Sequence, residues 1–575
     1  MGAKPNSLRK ERNVNFQYIL IGVCIVIALY LAVLPLIFLL YGSFTTKETI
    51  SSPNVLTFLN YIEAYSNWQT YALIWNSVKF ALGTMSVAFV IGTFLAWVTE
   101  RTNTPFKSVF FSLSILPLVT PGILFAVSWI MLASPGSGIF NTLLQNLFNT
   151  DYVFFNVYSL GGMIFVEGLL YSPMAFLFMT AAFRAMDPSL EESAMMSGAK
   201  LWKIVYHVTL KGIWPAVFTV LLLLFVSSME SFEIPALLGL PAGYNVLTSG
   251  IYRAINSYPP NVGLGSTYSV SLLVILSVGI YFQTKLANKG SKYSTMTGKA
   301  FRPSQIDLGK WRYATAGISL VYFFVVMFLP FLVLLWTSLQ PYYRAPSLSA
   351  LETLTLKNYD YVFSYPAIGR AFFNSFSLAI LAATIVMIIT AVTSWIIIKT
   401  RIRWRYMLDN LVSLPLVFPG IVFGLALMIT YLNFNIGVYG TVWILLILYL
   451  TKFLPMGLRY NTTSMIQIHK ELEESALMSG AQWLSMFRRI TIPLLIPGFV
   501  TGWIYVAIMT TRELSGSVML YSPGSEVVSV VIWEMWDNGQ FTQLSALGVI
   551  FMLSLLLIVI VLQIISRKLG IKQGK

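Results

Sequence analysis

"LEESAMMSGAKL" occupies Leu190–Leu201 and "LEESALMSGAQW" occupies Leu472–Trp483, so the chain writes nearly the same polar, small-residue-rich sentence twice, 282 positions apart. Glu192, Ser193, Ala194, Ser197, Gly198 and Ala199 in the first copy answer Glu474, Ser475, Ala476, Ser479, Gly480 and Ala481 in the second. Small residues at helical spacing let another backbone come close, and a glycine supplies the turn between two short helices. Large side chains surround them: Met195, Met196, Trp202 and Tyr206 in one copy, Leu477, Met478, Trp483, Met486 and Phe487 in the other. Methionine adapts readily to a contact surface. In the first copy, Asp187-Pro188 and the spacing of Ser189 to Glu192 predict a capped helix start. Each stretch reads as a helical knob. A plain amphipathic linker lying on a membrane, the alternative, gives no reason for a turn glycine to recur in register.

The repetition extends outward. "LPLIFLLYGSF" from Leu34 answers "LPFLVLLWTSL" from Leu329, Asn76-Ser77 answers Asn374-Ser375, and "LPLVTPGI" from Leu116 answers "LPLVFPGI" from Leu414. The offset is 298 at the last two pairs and 282 at the knobs, so 16 residues of the first half, within "SPGSGIFNTLLQNLFNTDYVFFNVYS", lack a counterpart. A six-span unit repeated in the same orientation implies a pseudo-twofold axis along the membrane normal, with substrate passing between the halves.

Composition demands a membrane. The chain has 575 residues, 57% hydrophobic and only 10% charged, against roughly 25% charged in soluble domains. The net charge of +15 does not form a basic, aromatic-interleaved face for nucleic acid; Lys and Arg gather at the ends of apolar runs instead. The single cysteine, Cys24, excludes an internal disulfide and any Cys-based metal or redox motif, and His207 and His469 have no ligand spacing.

A helix needs about 20 apolar residues to cross a bilayer. Runs near that length lie at 17–41, 73–99, 108–133, 158–183, 213–232 and 265–286, then at 313–339, 372–398, 406–432, 437–461, 497–515 and 541–565, predicting twelve spans. The first follows a basic start but lacks a small-x-small cleavage site, and is read as a retained helix. Lys4, Arg9, Lys10, Arg12, Arg101, Lys107, the linker "KGSKYSTMTGKAFRPSQIDLGKWR", "KTRIRWR" and "RKLGIKQGK" share one side; only Lys47, Arg253, Arg344, Lys357 and Arg370 face the other. The positive-inside rule then places both termini and both knobs in the cytoplasm. The predicted division is a first repeat over 1–288 with its knob loop at 184–212, a basic linker over 289–312, and a second repeat over 313–575 with its loop at 462–495.

"EESALMSGAQWLSMFRRITIPLLIPG", from Glu473, resembles the EAA loop of ATP-binding-cassette importer permeases, and the match recurs in both halves between spans. A fused pair in one polypeptide is similar to the ferric-iron permeases of that superfamily. The resemblance covers nearly the whole chain. It implies an all-α membrane protein of the type I importer kind, working by alternating access between two parallel six-helix repeats. It also implies that Glu192, Ala194 and Gly198, with Glu474, Ala476 and Gly480, dock two copies of a cytoplasmic ATPase subunit, and that an extracytoplasmic binding protein delivers cargo. By the same resemblance the cell is bacterial and the membrane the inner one. The family's hydrophobic-Pro step is kept as Ile492-Pro493 but replaced by Leu210-Lys211 in the first copy, which predicts a differently seated trailing segment. No G-x-x-x-x-G-K-[ST] phosphate loop occurs, so ATP and magnesium are expected at the partner subunit. No cofactor is expected on this chain.

Several residues within or beside spans bear on a route. Pro117, Pro121 and Gly122, with Pro415, Pro419 and Gly420, loosen the third and ninth helices; they read either as packed kinks or as pathway lining. Glu167 and Lys452 are charges inside spans and should face the bundle interior, as an ion pair bridging the halves or as substrate contacts. Glu230, Glu233 and Glu513 follow the fifth and eleventh spans, where they can attract a hard cation through oxygen, anchor a binding protein, or pair with Arg512. Ferric iron leads as cargo, ahead of a polyamine, thiamine or phosphonate. An ion-driven carrier, which also often has two similar halves, requires a buried acidic relay, for which Glu167 alone stands. A membrane enzyme requires a convergent set of acids, bases or metal ligands, which two loop histidines do not supply.

Overall fold

Lipid offers the backbone no hydrogen-bond partners, so apolar runs of this length fold as helices. The computed structural model describes residues 18–46, 55–186, 189–290, 306–400, 402–434 and 436–568. The capping residues Asp187 and Pro188, most of the basic linker and the charged termini lie outside them. Among the described residues nine helices are long and apolar enough to cross a membrane: Tyr18–Ser43, Trp68–Arg101, Leu160–Ala185, Val262–Lys285, Trp311–Ser338, Pro366–Lys399, Val442–Gln467, Phe487–Thr511 and Phe541–Leu562. They match the predicted spans one, two, four, six, seven, eight, ten, eleven and twelve.

The remaining three are broken. Lys107–Val119 meets Gly122–Ala133 at 98°, Arg405–Val417 meets Gly420–Asn433 at 107°, and Tyr206–Gly212 meets Trp214–Glu230 at 66°. The third and ninth runs are therefore not straight crossings as their hydropathy predicted. Helical backbone is disfavoured for the residue before a proline, and Thr120 and Phe418 are extended (ψ 125° and 116°) before Pro121 and Pro419. Helix restarts at once, with Phe125 N–H donating to Pro121 C=O at 3.1 Å and Phe423 N–H to Pro419 C=O at 3.0 Å.

The helices gather into two compact units that cut across the sequence repeats. One combines the first span with Tyr365–Val531 and the end of the last helix from Leu553 onward, and the other combines Leu59–Ser364 with Ile532–Met552. In the first of these, Ile21, Cys24 and Ala28 share a core with Trp395, Leu408, Leu454 and Leu495, and Tyr30 Oη lies 2.6 Å from Tyr431 Oη. Its eighth span packs on the tenth and eleventh. In the other unit the seventh span lies among first-repeat helices, with Tyr322 Oη 2.7 Å from Ser172 Oγ and Phe323 stacked on Phe110 at 5.8 Å. There the second span packs on the fourth and fifth.

The packing of the first span makes a prediction. Ala28 is 1% exposed and Val26 65% exposed. Ala28→Trp is expected to cost about 1–3 kcal/mol or more through overpacking, lowering the thermal transition of the detergent-solubilised protein. Val26→Trp is expected to leave that transition within about 0.5 kcal/mol of wild type.

Candidate functional site

Both repeated stretches fold as helix, turn, helix. The knob helices are Ser189–Met196 and Lys470–Met478, followed by Leu201–Ile204 and Trp483–Met486. Gly198 (φ +76°) and Gly480 (φ +83°) take the left-handed conformation that the turn requires. Ala199 N–H donates to Ala194 C=O and Gly198 N–H to Met195 C=O, at 3.1 and 2.9 Å, a Schellman closure that Ala481 and Ala476 repeat at 3.0 Å. Each tip bares a methionine almost fully, Met196 at 91% and Met478 at 89% exposure. Glu192 is exposed; Glu474 is exposed too and lies 3.3 Å from Lys470 on its own helix.

The preceding glutamates turn inward. Glu191 is 1% exposed, 3.5 Å from the Arg101 guanidinium at the end of the second span, and accepts from Thr209 Oγ at 2.5 Å. Glu473 lies 3.7 Å from Lys399 Nζ at the end of the eighth span and accepts from Thr491 Oγ at 2.9 Å. Sequence reasoning took Arg101 and Lys399 as topology charges and passed over Glu191 and Glu473. The signal was present: the cations differ by 298, and the glutamates and threonines by 282, the repeat's own offsets.

The trailing segments differ, as the Leu210-Lys211 departure predicted. The first copy bends by 66° between Gly212 and Trp214, whereas Phe487–Thr511 continues as one helix. Gly212 stands where the second repeat has Leu494, and glycine resists leaving a helix least.

The proline breaks organise the charges inside each unit. A Cβ at Gly122 would collide with Glu233 Oε2 and come within 3.6 Å of Leu170, and Glu167, 1% exposed, interacts electrostatically with Glu233 and Tyr171. Pro121, Gly122, Glu167 and Glu233 thus converge. In the other unit a Cβ at Gly420 would strike Ser515 Oγ and lie 2.7 Å from Lys452 Nζ and 2.8 Å from Glu513 Oε1, so Pro419, Gly420, Lys452 and Glu513 converge as well. Leu170 and Lys452 are repeat equivalents, as are Glu233 and Ser515. One geometry therefore carries an acidic cluster in one unit and an ion pair in the other.

Two expectations are corrected. Lys452 finds its carboxylate on its own repeat: Nζ lies 2.9 Å from Glu513 Oε1, not paired across the halves with Glu167. Glu513 is not an open acid at a mouth. It is 5% exposed and also accepts from Gly516 N–H at 2.9 Å, Ser517 N–H at 3.1 Å, and the Ser515 and Ser517 hydroxyls at 2.9 and 2.6 Å. A carboxylate with its lone pairs so taken is a structural anchor.

A second divergence lies at the other end of these helices. Asn76 Nδ2 donates to Asn245 C=O at 3.2 Å, and its equivalent Asn374 donates to Glu526 C=O at 2.9 Å. Beside it the second repeat places an Arg370–Glu526 ion pair at 3.1 Å. The first, with Ala72 and Asn245 there, keeps a cavity of about 460 Å³ that Arg253 also lines.

The family described as "Binding-protein-dependent transport system inner membrane component" matches residues 88–289 and 398–571. The chain belongs to this family. Both knobs lie within the matched segments. Similar proteins include the ferric transport system permease protein FbpB of Actinobacillus pleuropneumoniae, 24% identical over 82% of this chain and 68% of that one. A putative ferric transport system permease protein FbpB 1 of Haemophilus influenzae is 24% identical over 88% of this chain and 78% of that one. A putative 2-aminoethylphosphonate transport system permease protein PhnV of Salmonella paratyphi A is 24% identical over 46% of this chain and 98% of its own length. A solved bacterial ABC transporter involved in import of the acidic polysaccharide alginate has 19% identity, covering 49% of this chain and 99% of that one at a TM-score of 0.41. The chain is thus a multi-pass inner-membrane permease of the importer family, fused from two repeats.

For this permease the crowding at Gly420 predicts that Gly420→Ala destabilises by about 1–3 kcal/mol through overpacking. Gly369, in the helix Pro366–Lys399, has nothing within 4 Å of an added Cβ. Gly369→Ala should be neutral or stabilising by up to ~1 kcal/mol. Thermal unfolding of the two variants in detergent compares them directly.

Proposed function

We propose that this permease imports ferric iron delivered by an extracytoplasmic binding protein, powered by two copies of a separate ATPase subunit docked on its two knobs. The observation that carries the reading is the pair of closely matched helical knobs, each closed by a left-handed glycine and tipped by a bare methionine. A surface with an exposed Met and a small-residue face suits a partner's cleft. Two copies in register suit a partner that is itself a dimer. In this reading both termini and both knobs are cytoplasmic, in accord with the charge distribution.

The mechanism follows from differential binding. ATP draws the two ATPase subunits together, and a partner held at both knobs favours whichever permease arrangement brings the knobs closer; hydrolysis removes that preference. ATP and its magnesium act on the partner, and this chain contributes motion only. Ferric iron is supported by the similarity to ferric transport permeases over 82–88% of this chain. Among the described residues no three His, Cys, Asp or Glu side chains group as a metal site. The phosphonate relative supplies the competing cargo.

Radioactive ferric iron offered to membrane vesicles with the cognate binding protein should accumulate when ATP is inside, and an ionophore should not abolish it. Combining Glu192→Ala with Glu474→Ala should lower uptake per ATP by roughly fivefold or more while basal hydrolysis continues. If iron fails to accumulate but binding protein loaded with 2-aminoethylphosphonate stimulates hydrolysis, the importer stands and iron falls.

A further inference from the structure

The two inward glutamates do something the exposed ones do not. Each knob helix is short, eight residues in Ser189–Met196 and nine in Lys470–Met478, and a helix of that length has little stability of its own. A partner pulling on it would distort it unless something joins it to the bundle. Glu191 and Glu473 make that junction in both units.

The carboxylate of Glu191 divides its two oxygens. Oε2 faces the Arg101 guanidinium at 3.5 Å, at the very end of the 34-residue helix Trp68–Arg101. Oε1 accepts from Thr209, at the base of the fifth span's entry segment, at 2.5 Å. Glu473 divides its oxygens the same way, between Lys399 at 3.7 Å, ending the 34-residue helix Pro366–Lys399, and Thr491 at 2.9 Å, opening the eleventh span. Lys399 Nζ also donates to Ile468 C=O at 2.6 Å, which caps the tenth span. One buried carboxylate therefore ties three elements in the first repeat, and four in the second once Lys399 brings in the tenth span.

These contacts are built into the fold. All four charged side chains are 8% exposed or less, and a charge so buried cannot leave its partner without facing low dielectric alone. The cation is Arg in one repeat and Lys in the other, so the two repeats hold charge and position in common without holding shape. The ion-pair distances exceed those of charge-assisted hydrogen bonds, about 2.7–2.9 Å, whereas the threonine hydroxyls donate at hydrogen-bond distance, 2.5 and 2.9 Å. The carboxylate is pinned to the segment that follows the knob and is held by charge to the long helix.

We propose that Glu191 with Arg101, and Glu473 with Lys399, are buried clasps that make each knob move as one body with the ends of its long helix and of the helix that follows, so that force applied at the knob enters the membrane bundle. The proposal rests on the importer reading above. It assigns Glu191 and Glu473 as positioning residues that act through the bundle, distinct from the exposed docking glutamates.

The test uses the complete transporter in proteoliposomes: this permease, its ATPase and its binding protein loaded with ferric iron. Glu191→Gln with Glu473→Gln keeps the acceptor for threonine but removes the charge. The clasp predicts that the ATPase still copurifies and hydrolyses at its basal rate, while stimulation by loaded binding protein and uptake per ATP fall by roughly fivefold or more. Lys399→Arg, which installs the first repeat's cation, should keep most of both. Wild-type stimulation and uptake in the Gln double variant would overturn the proposal. Should that variant fail to fold, the reciprocal exchange Lys399→Glu with Glu473→Lys decides. Recovery of folding and stimulation together supports the clasp, and recovery of folding alone, or of neither, overturns it. Failure of the wild-type complex to respond to loaded binding protein would instead remove the importer reading itself.

Discussion

The constraint on which this structure depends is that backbone at membrane depth must have its polar groups met by protein. Two of the apolar runs are broken near 100° by Thr120-Pro121 and Phe418-Pro419, and each break frees donors and acceptors that lipid cannot satisfy. The answer is burial. Every residue of Gly122–Ala133 is buried, and so is every residue of Gly420–Tyr431. Part of the cover comes from the opposite repeat: Leu329–Ser338 of the seventh span packs on the first broken helix, and Leu34–Ser43 of the first span on the second. The exchange of spans between the sequence repeats thus supplies each broken helix with protein in place of lipid.

Once the breaks are buried, their glycines bring charged side chains close to backbone. At Gly122 the neighbour is Glu233, and at Gly420 it is the Lys452–Glu513 pair with Ser515. A common scaffold has been given different electrostatics, acidic in one unit and internally neutralised in the other. The first unit likewise has a cavity beside Ala72 and Asn245, whereas the second carries the Arg370–Glu526 ion pair there. A fused chain can hold such differences because each repeat occurs once per molecule, whereas in a homodimer any substitution falls on both sides.

At the other end the repeats agree. Knob, glycine turn, inward glutamate, cation and threonine recur with the same burial and nearly the same distances. The two knob surfaces have stayed alike, while the clusters beside the proline breaks have diverged.

Hydropathy and internal repetition were enough to determine an all-helical membrane protein, the approximate limits of nine straight spans, the knobs, and the left-handed role of Gly198 and Gly480, because each is a local property of side-chain polarity or backbone freedom. Prolines marked the third and ninth runs as irregular, but their angle needed the buried neighbours that make a sharp break tolerable. Tertiary structure alone decided which repeat each of the first and seventh spans joins, since an apolar helix has the same hydropathy whichever partner it meets. It also decided that Lys452 pairs with Glu513 and that Glu191 and Glu473 turn inward while Glu192 and Glu474 stay in the open. Two adjacent glutamates differ by about 100° around a helix, and only the packing of that helix says which one meets the buried cation.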